Sequence, residues 1–238
     1  MRPHPCLKHC ACTGSTWRDD STVRVAVFSD VHANLPALQA FVALTRTSVD
    51  SYVCLGDVVG YGPWNDECLE LVHSLPNIVL LEGNHERMFL NPELVNEELP
   101  LVQAFFRCSV ASFARRDLIE ALPLTHALGW LTCAHSIGDR RVYRDSTVEV
   151  CRSFIIGHTH HPFVLTRNEN VIINCGSIGQ NRRRADVLNY VICDTESRVF
   201  SLFNAPFPVG DFLRELRARK YPESCVRYYL GKLTPHHA

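Results

Sequence analysis

Between positions 23 and 85, short apolar runs alternate with longer stretches whose apolar residues recur every three or four positions. "VRVAVF" (23–28) is rich in β-branched residues and predicts a buried strand that stops at Ser29-Asp30. In "NLPALQAFVALTRT", Leu35, Leu38, Phe41, Val42 and Thr45 fall at helical spacing, with Asn34 as N-cap and Pro36 in the first turn. "SYVCLGD" (51–57) predicts a second strand, "WNDECLELVHSL" (64–75) a second helix and "NIVLLEGNH" (77–85) a third strand. This strand–helix alternation is the rhythm of a parallel sheet.

From 86 to 122 the repeated apolar pairs predict helix, ending at Pro123. Beyond it the texture changes to short strands: "LTHAL", "WLTCAH", "SFIIGH", "FVLTR", "VIINCG", "VLNYVICD" and "RVFSLFN". Helical patterns return near 210–231. Strands in both halves with helices outside predict an α/β fold of two packed sheets in one domain, residues 22–238.

Composition narrows the function classes. The 238 residues, 46% hydrophobic and 21% charged, suffice for one large core. Lys+Arg of 24 against Asp+Glu of 25 supplies no field for nucleic acid or an anionic membrane. No apolar run approaches membrane-spanning length. The first 21 residues carry charge but no apolar signal core, and the chain is expected in the cytoplasm as a disordered Cys/His-containing tail followed by the domain. Eleven cysteines, an odd number, read as free thiols in a reducing compartment, with Cys54, Cys133 and Cys193 inside apolar runs. Cys6, Cys10 and Cys12 with His4 and His9 match no structural zinc spacing.

The candidate chemistry lies where the strands end. The runs finish in Asp30-Val31-His32, Gly56-Asp57, Gly83-Asn84-His85, His135 and His158-Thr159-His160. Taken singly, each is a turn or a stray polar residue. Five together, all following apolar runs, point to one crevice at the carboxyl ends of strands. Elsewhere, the Arg182-Arg183-Arg184 run reads first as a solvated loop, with Arg182 the candidate to reach a substrate. Tyr61 and Trp64 either wall the pocket or cap the second helix.

"SDVHAN", "GDVVGYGP", "GNHE", "AHS" and "GHTHHP", in that order, resemble the signature blocks of the calcineurin-like metallophosphoesterases, and the resemblance spans about 28–182. "GDVVGYGP" and "NCGSIGQNR" resemble its small bacterial phosphodiesterase branch, although Cys175 and Asn181 stand where that branch usually has proline. The resemblance implies a four-layer αββα sandwich and two divalent metals. A shared anionic ligand must offset the repulsion between the metals, a role that falls to Asp57. By the same resemblance, Asp30, His32 and His160 complete one metal's ligands, and Asn84, His135 and His158 the other's. Nitrogen and oxygen ligands without cysteine suit manganese first, or iron, zinc, cobalt or nickel.

The implied reaction is attack on phosphorus by a hydroxide held between the metals. His85 is the catalytic residue beside the phosphate, and Glu86 or Asp57 fixes its tautomer. The expected substrate is a small phosphodiester, with monoesters secondary. A monoester dianion needs additional cations, and Tyr61 stands where monoester-cleaving relatives often carry arginine. That Tyr61 also argues against a protein serine/threonine phosphatase. The complete ligand set argues against a non-catalytic scaffold on the same fold.

Overall fold

The computed structural model describes residues 23–233; the N-terminal Cys/His cluster, His236 and His237 lie outside them. The first half builds one sheet. Strand β1 (Arg24–Phe28) is followed by helix α1 (Leu35–Thr45), β2 (Ser51–Cys54), α2 (Asn65–His73), β3 (Ile78–Leu80) and α3 (Asn84–Leu90). Asn34 caps α1 as expected, its side chain accepting the Ala37 N–H at 3.3 Å.

Strand β3 is shorter than the apolar run suggested. Asn84 and His85 are not strand residues but open α3, because Glu86 reaches back to accept the Gly83 N–H at 2.9 Å and starts the helix there. The 86–122 region is likewise not one helix. Pro92 and Pro100 lack the N–H that would continue a preceding helix, so each starts a new segment: a 3-10 turn at Pro92–Glu97 and α4 at Pro100–Val110. A second 3-10 turn spans Arg116–Leu118.

The second half supplies β4 (Thr125–Leu128), β5 (Leu131–Ala134), β6 (Ser153–Ile156), β7 (Phe163–Arg167), β8 (Asn170–Asn174), β9 (Val187–Asp194) and β10 (Val199–Pro206). Helices α5 (Gly210–Ala218) and α6 (Glu223–Leu230) follow. The strand orders are β10-β9-β1-β2-β3 and β4-β5-β6-β8-β7. Each sheet has a parallel trio, β1–β2–β3 and β5–β6–β8, flanked by antiparallel strands.

The two sheets meet face to face over Val25, Val27, Val53, Leu55, Cys133, Ile155, Ile173 and Val191. The helices cover the outside of the first sheet through Leu38, Phe41, Leu69, Phe105, Phe212 and Tyr229. This is the expected sandwich of two mixed sheets with flanking helices. The outer face of the second sheet is closed by the irregular stretch 136–152, which seats Val142 and Val148 on Ile156, Phe163 and Ile172. Cys54, Cys133 and Cys193 are buried free thiols, as their apolar surroundings predicted. No helix of the described residues is long and apolar enough to cross a membrane.

Candidate metal centre

Both parallel trios deliver their carboxyl ends to the same edge of the sandwich. Asp30 and His32 follow β1, Asp57 follows β2, and Asn84 follows β3. From the other sheet, His135 follows β5, while His158 and His160 follow β6. All seven residues are brought together, and Asp30, His32, Asp57 and His160 are at most 2% exposed.

Local backbone geometry shows how such close approach is reached. Asp30, His32, Asp57, His158 and His160 all adopt left-handed φ between 50° and 66°. Each such non-glycine residue costs on the order of 1–3 kcal/mol, and clustering of this strain is a mark of functional sites. The chain therefore turns at both His158 and His160 rather than running extended through them. His161 points away from them, into a separate cavity. Glycine is required at two contacts: a Cβ on Gly157 would stand 2.5 Å from Asp30 Oδ2, and one on Gly83 2.2 Å from Asp57 Oδ1.

Glu86 has a role that the sequence did not disclose. Its buried carboxylate accepts the N–H groups of Asp57 (2.7 Å), Val58 (2.8 Å), Val59 (3.2 Å) and Gly83 (2.9 Å). It clamps the β2 loop to the start of α3. It does not orient His85, and neither does the Asp57 side chain, which accepts the His85 backbone N–H at 2.8 Å. His85 Nδ1 is buried against Gly60 without a partner, leaving Nε2 for the pocket.

Three imidazoles are held in one tautomer by backbone carbonyls. His32 Nδ1 donates to Val59 O (3.3 Å), His135 Nδ1 to Leu55 O (3.1 Å) and His160 Nδ1 to Gln180 O (2.8 Å). Their Nε2 atoms then converge: those of His32 and His160 are 3.2 Å apart, and His160 Nε2 is 3.0 Å from Asp30 Oδ1. His135 Nε2 lies 3.2 Å from His158 Nδ1, 3.0 Å from Asn84 Oδ1 and 3.3 Å from Asp57 Oδ2. Lone pairs aimed at one another and at carboxylates require a cation or a proton between them. The donor set fits divalent ions, with the outer nitrogens anchored as metal-bound histidines require.

The electrostatics agree. Burial opposes ionisation of Asp57, yet the imidazoles of His135 and His85 hold its carboxyl well below the usual range. Burial lowers His135, but the neighbouring Asp57 carboxylate outweighs it and pushes the imidazole up to about 9. A divalent ion bound at His135 Nε2 would have to displace the proton that the Asp57 carboxylate favours there. Calorimetric titration of the chelated protein with Mn²⁺ in buffers of different ionisation enthalpy is expected to show release of about one proton per chain. The His135→Asn variant should lose that release; no proton release in the parent protein would contradict the assignment.

The pocket above this cluster, about 180 Å³, is walled by Tyr61, His85, Arg141, Tyr143, Arg182 and Tyr228, with Leu99, Leu101 and Val102 at its lip. Tyr61 walls the pocket, its ring 4.9 Å from that of His85; Trp64 sits at the start of α2 and packs near Phe212. The arginine run splits. Arg183 and Arg184 are exposed, and Arg184 pairs with Asp186 at 2.7 Å. Arg182 is not solvated: it is partly buried, lines the pocket, and its guanidinium donates to the Tyr228 hydroxyl. Arg141, Tyr143 and Tyr228 carried no signal in the sequence, because they come from an irregular stretch and the last helix.

The Calcineurin-like phosphoesterase superfamily domain matches residues 23–198, and the chain belongs to that family. Its members are metal-dependent phosphoester hydrolases using divalent ions, and this chain is an enzyme of that kind. An uncharacterised protein of Methanocaldococcus jannaschii is 24% identical over 246 residues, covering 87% of this chain and 98% of its own. A metallophosphoesterase structure from Sphaerobacter thermophilus is 25% identical, with a TM-score of 0.74 over 90% of this chain and all of that one. A hypothetical protein from Pyrococcus horikoshii OT3 shares the fold at 16% identity, with a TM-score of 0.77 over 87% of this chain and 97% of its own.

Proposed function

We propose that the chain hydrolyses small phosphoesters at a dinuclear centre of two divalent transition-metal ions, manganese foremost. One ion takes Asp30, His32, His160 and Asp57, and the other takes Asp57, Asn84, His135 and His158. The observation that carries this reading is the arrangement around Asp57. Its carboxylate stands 3.3 Å from His135 Nε2 and 3.9 Å from His32 Nε2, so one anion serves both halves of the ligand set. When bound, two such ions supply Lewis-acid charge for the phosphoryl oxygens and lower the pKa of an attacking water.

The chain's own residues supply the rest. His85, held neutral by burial at about 3, presents Nε2 to the pocket as a hydrogen-bond donor for the developing charge. Arg182 offers a fixed guanidinium at the same wall.

Preference for diesters was expected from Tyr61 in an arginine's place together with the premise that the arginine run faces solvent. Arg182 removes that premise, and its position supports cleavage of monoesters as well as diesters. Arg182→Ala is expected to lower kcat/KM for p-nitrophenyl phosphate about tenfold more than for bis-p-nitrophenyl phosphate, since the dianion makes more charge-assisted bonds. Equal losses on both would return Arg182 to a packing role. The function itself is tested by loading the chelated protein with Mn²⁺, Zn²⁺ or Ni²⁺ and assaying both esters and a phosphopeptide. Metal-dependent turnover of either small ester supports the proposal; turnover of the phosphopeptide alone, or none, refutes it.

A further inference from the structure

A second cavity, about 550 Å³, adjoins the first, and Tyr143 lines both. The same chain segments serve the two cavities with neighbouring residues. His160 and Arg182 line the metal-site pocket, while His161 and Arg183 line the second. On the 141–144 stretch, Arg141 faces the first cavity and Arg144 the second, with Tyr143 between them. Successive Cα atoms are ~3.8 Å apart, so only the width of one backbone separates the two at 160–161 and 182–183.

The second cavity is cationic. Arg184 is committed to Asp186, but among the described residues neither Arg144 nor Arg183 makes an ion pair. Asp145 is the one carboxylate lining it. Aromatic rings accompany the charge: those of Tyr143 and His161 lie 6.0 Å apart, inclined by 56°, and Tyr143 is 39% exposed. Unpaired guanidinium groups beside an aromatic rim match a phosphate carried next to a ring.

We propose that this cavity is a distal subsite for a second phosphate group, so that the natural substrate is a small phosphoester bearing at least two phosphates. The proposal rests on the phosphoesterase reading and places the reacting phosphate over the metal centre. The second phosphate passes the Tyr143 rim to Arg144 and Arg183. An Arg144→Ala/Arg183→Ala protein, which keeps every metal-centre residue and Arg182, isolates the subsite.

The test compares ligands differing only by one phosphate: the dinucleotide pTpT against TpT, and fructose 1,6-bisphosphate against fructose 6-phosphate. Affinities are measured by calorimetry on the Mn²⁺-loaded protein and as competitive inhibition of its bis-p-nitrophenyl phosphate hydrolysis. In the parent protein the extra phosphate should tighten binding about tenfold in at least one pair, a typical gain for charge-assisted bonds. The pair showing the gain identifies a nucleotide or a sugar phosphate as the source. In the double variant the gain should vanish while kcat on bis-p-nitrophenyl phosphate is unchanged. Equal affinity within both pairs in the parent, or a gain surviving the double substitution, overturns the subsite. Failure of the phosphoesterase reading is separate: it would appear as no turnover under any metal, and calorimetry would still decide the subsite.

Discussion

Asp57→Asn is expected to abolish phosphoester hydrolysis, a loss of at least ~10³-fold, and to cost the protein at least one metal ion per chain. The geometry makes the substitution severe although it is isosteric. Asp57 Oδ1 accepts the His85 N–H at 2.8 Å, so the asparagine oxygen is retained there. The amide NH₂ must then take the place of Oδ2, facing His135 Nε2 at 3.3 Å and the Nε2 of His32 at 3.9 Å. A donor would replace an anion at the point where two cations need a shared negative charge. Elemental analysis beside a turnover assay checks this; two metals per chain with normal turnover would falsify the bridging assignment.

His85→Ala is expected to keep both metals and lower kcat by about 10²–10³-fold, the usual cost of removing one preorganised donor to developing charge. The backbone N–H that holds Asp57 survives the change, so the metal ligands stay in place. Burial holds this imidazole at about 3, which leaves no imidazolium at neutral pH to protonate a leaving group. The loss should therefore be uniform across aryl phosphates whose leaving groups differ in pKa. A loss that shrinks steeply as the leaving group improves would instead identify His85 as a general acid. Loss of metal would remove it from the catalytic group altogether.

Much of the candidate site was readable because the apolar runs stop where the polar residues begin. Asp30, Asp57, His135 and His158 each follow a strand whose inner residues had to be buried, and parallel strands bring their carboxyl ends to one edge. Alternation and helical spacing determined the sandwich for the same reason: they encode which face of each element leaves water. They say nothing about where a side chain points once the chain leaves a regular element.

The left-handed turns at His158 and His160, the Glu86 clamp on the β2 loop, and the fate of the arginine run were all decided in three dimensions. The arginines show why. Asn181 Oδ1 accepts the N–H groups of both Arg183 (2.8 Å) and Arg184 (3.0 Å), while its Nδ2 donates to Asn189 on β9. That turn leaves Arg182 at the pocket wall, where Tyr228 from the far end of the chain receives it, and sends its two neighbours outward. In the sequence the three arginines are equivalent, because a local pattern specifies burial by period. Only a long-range hydrogen bond distinguishes one residue of an irregular loop from the next.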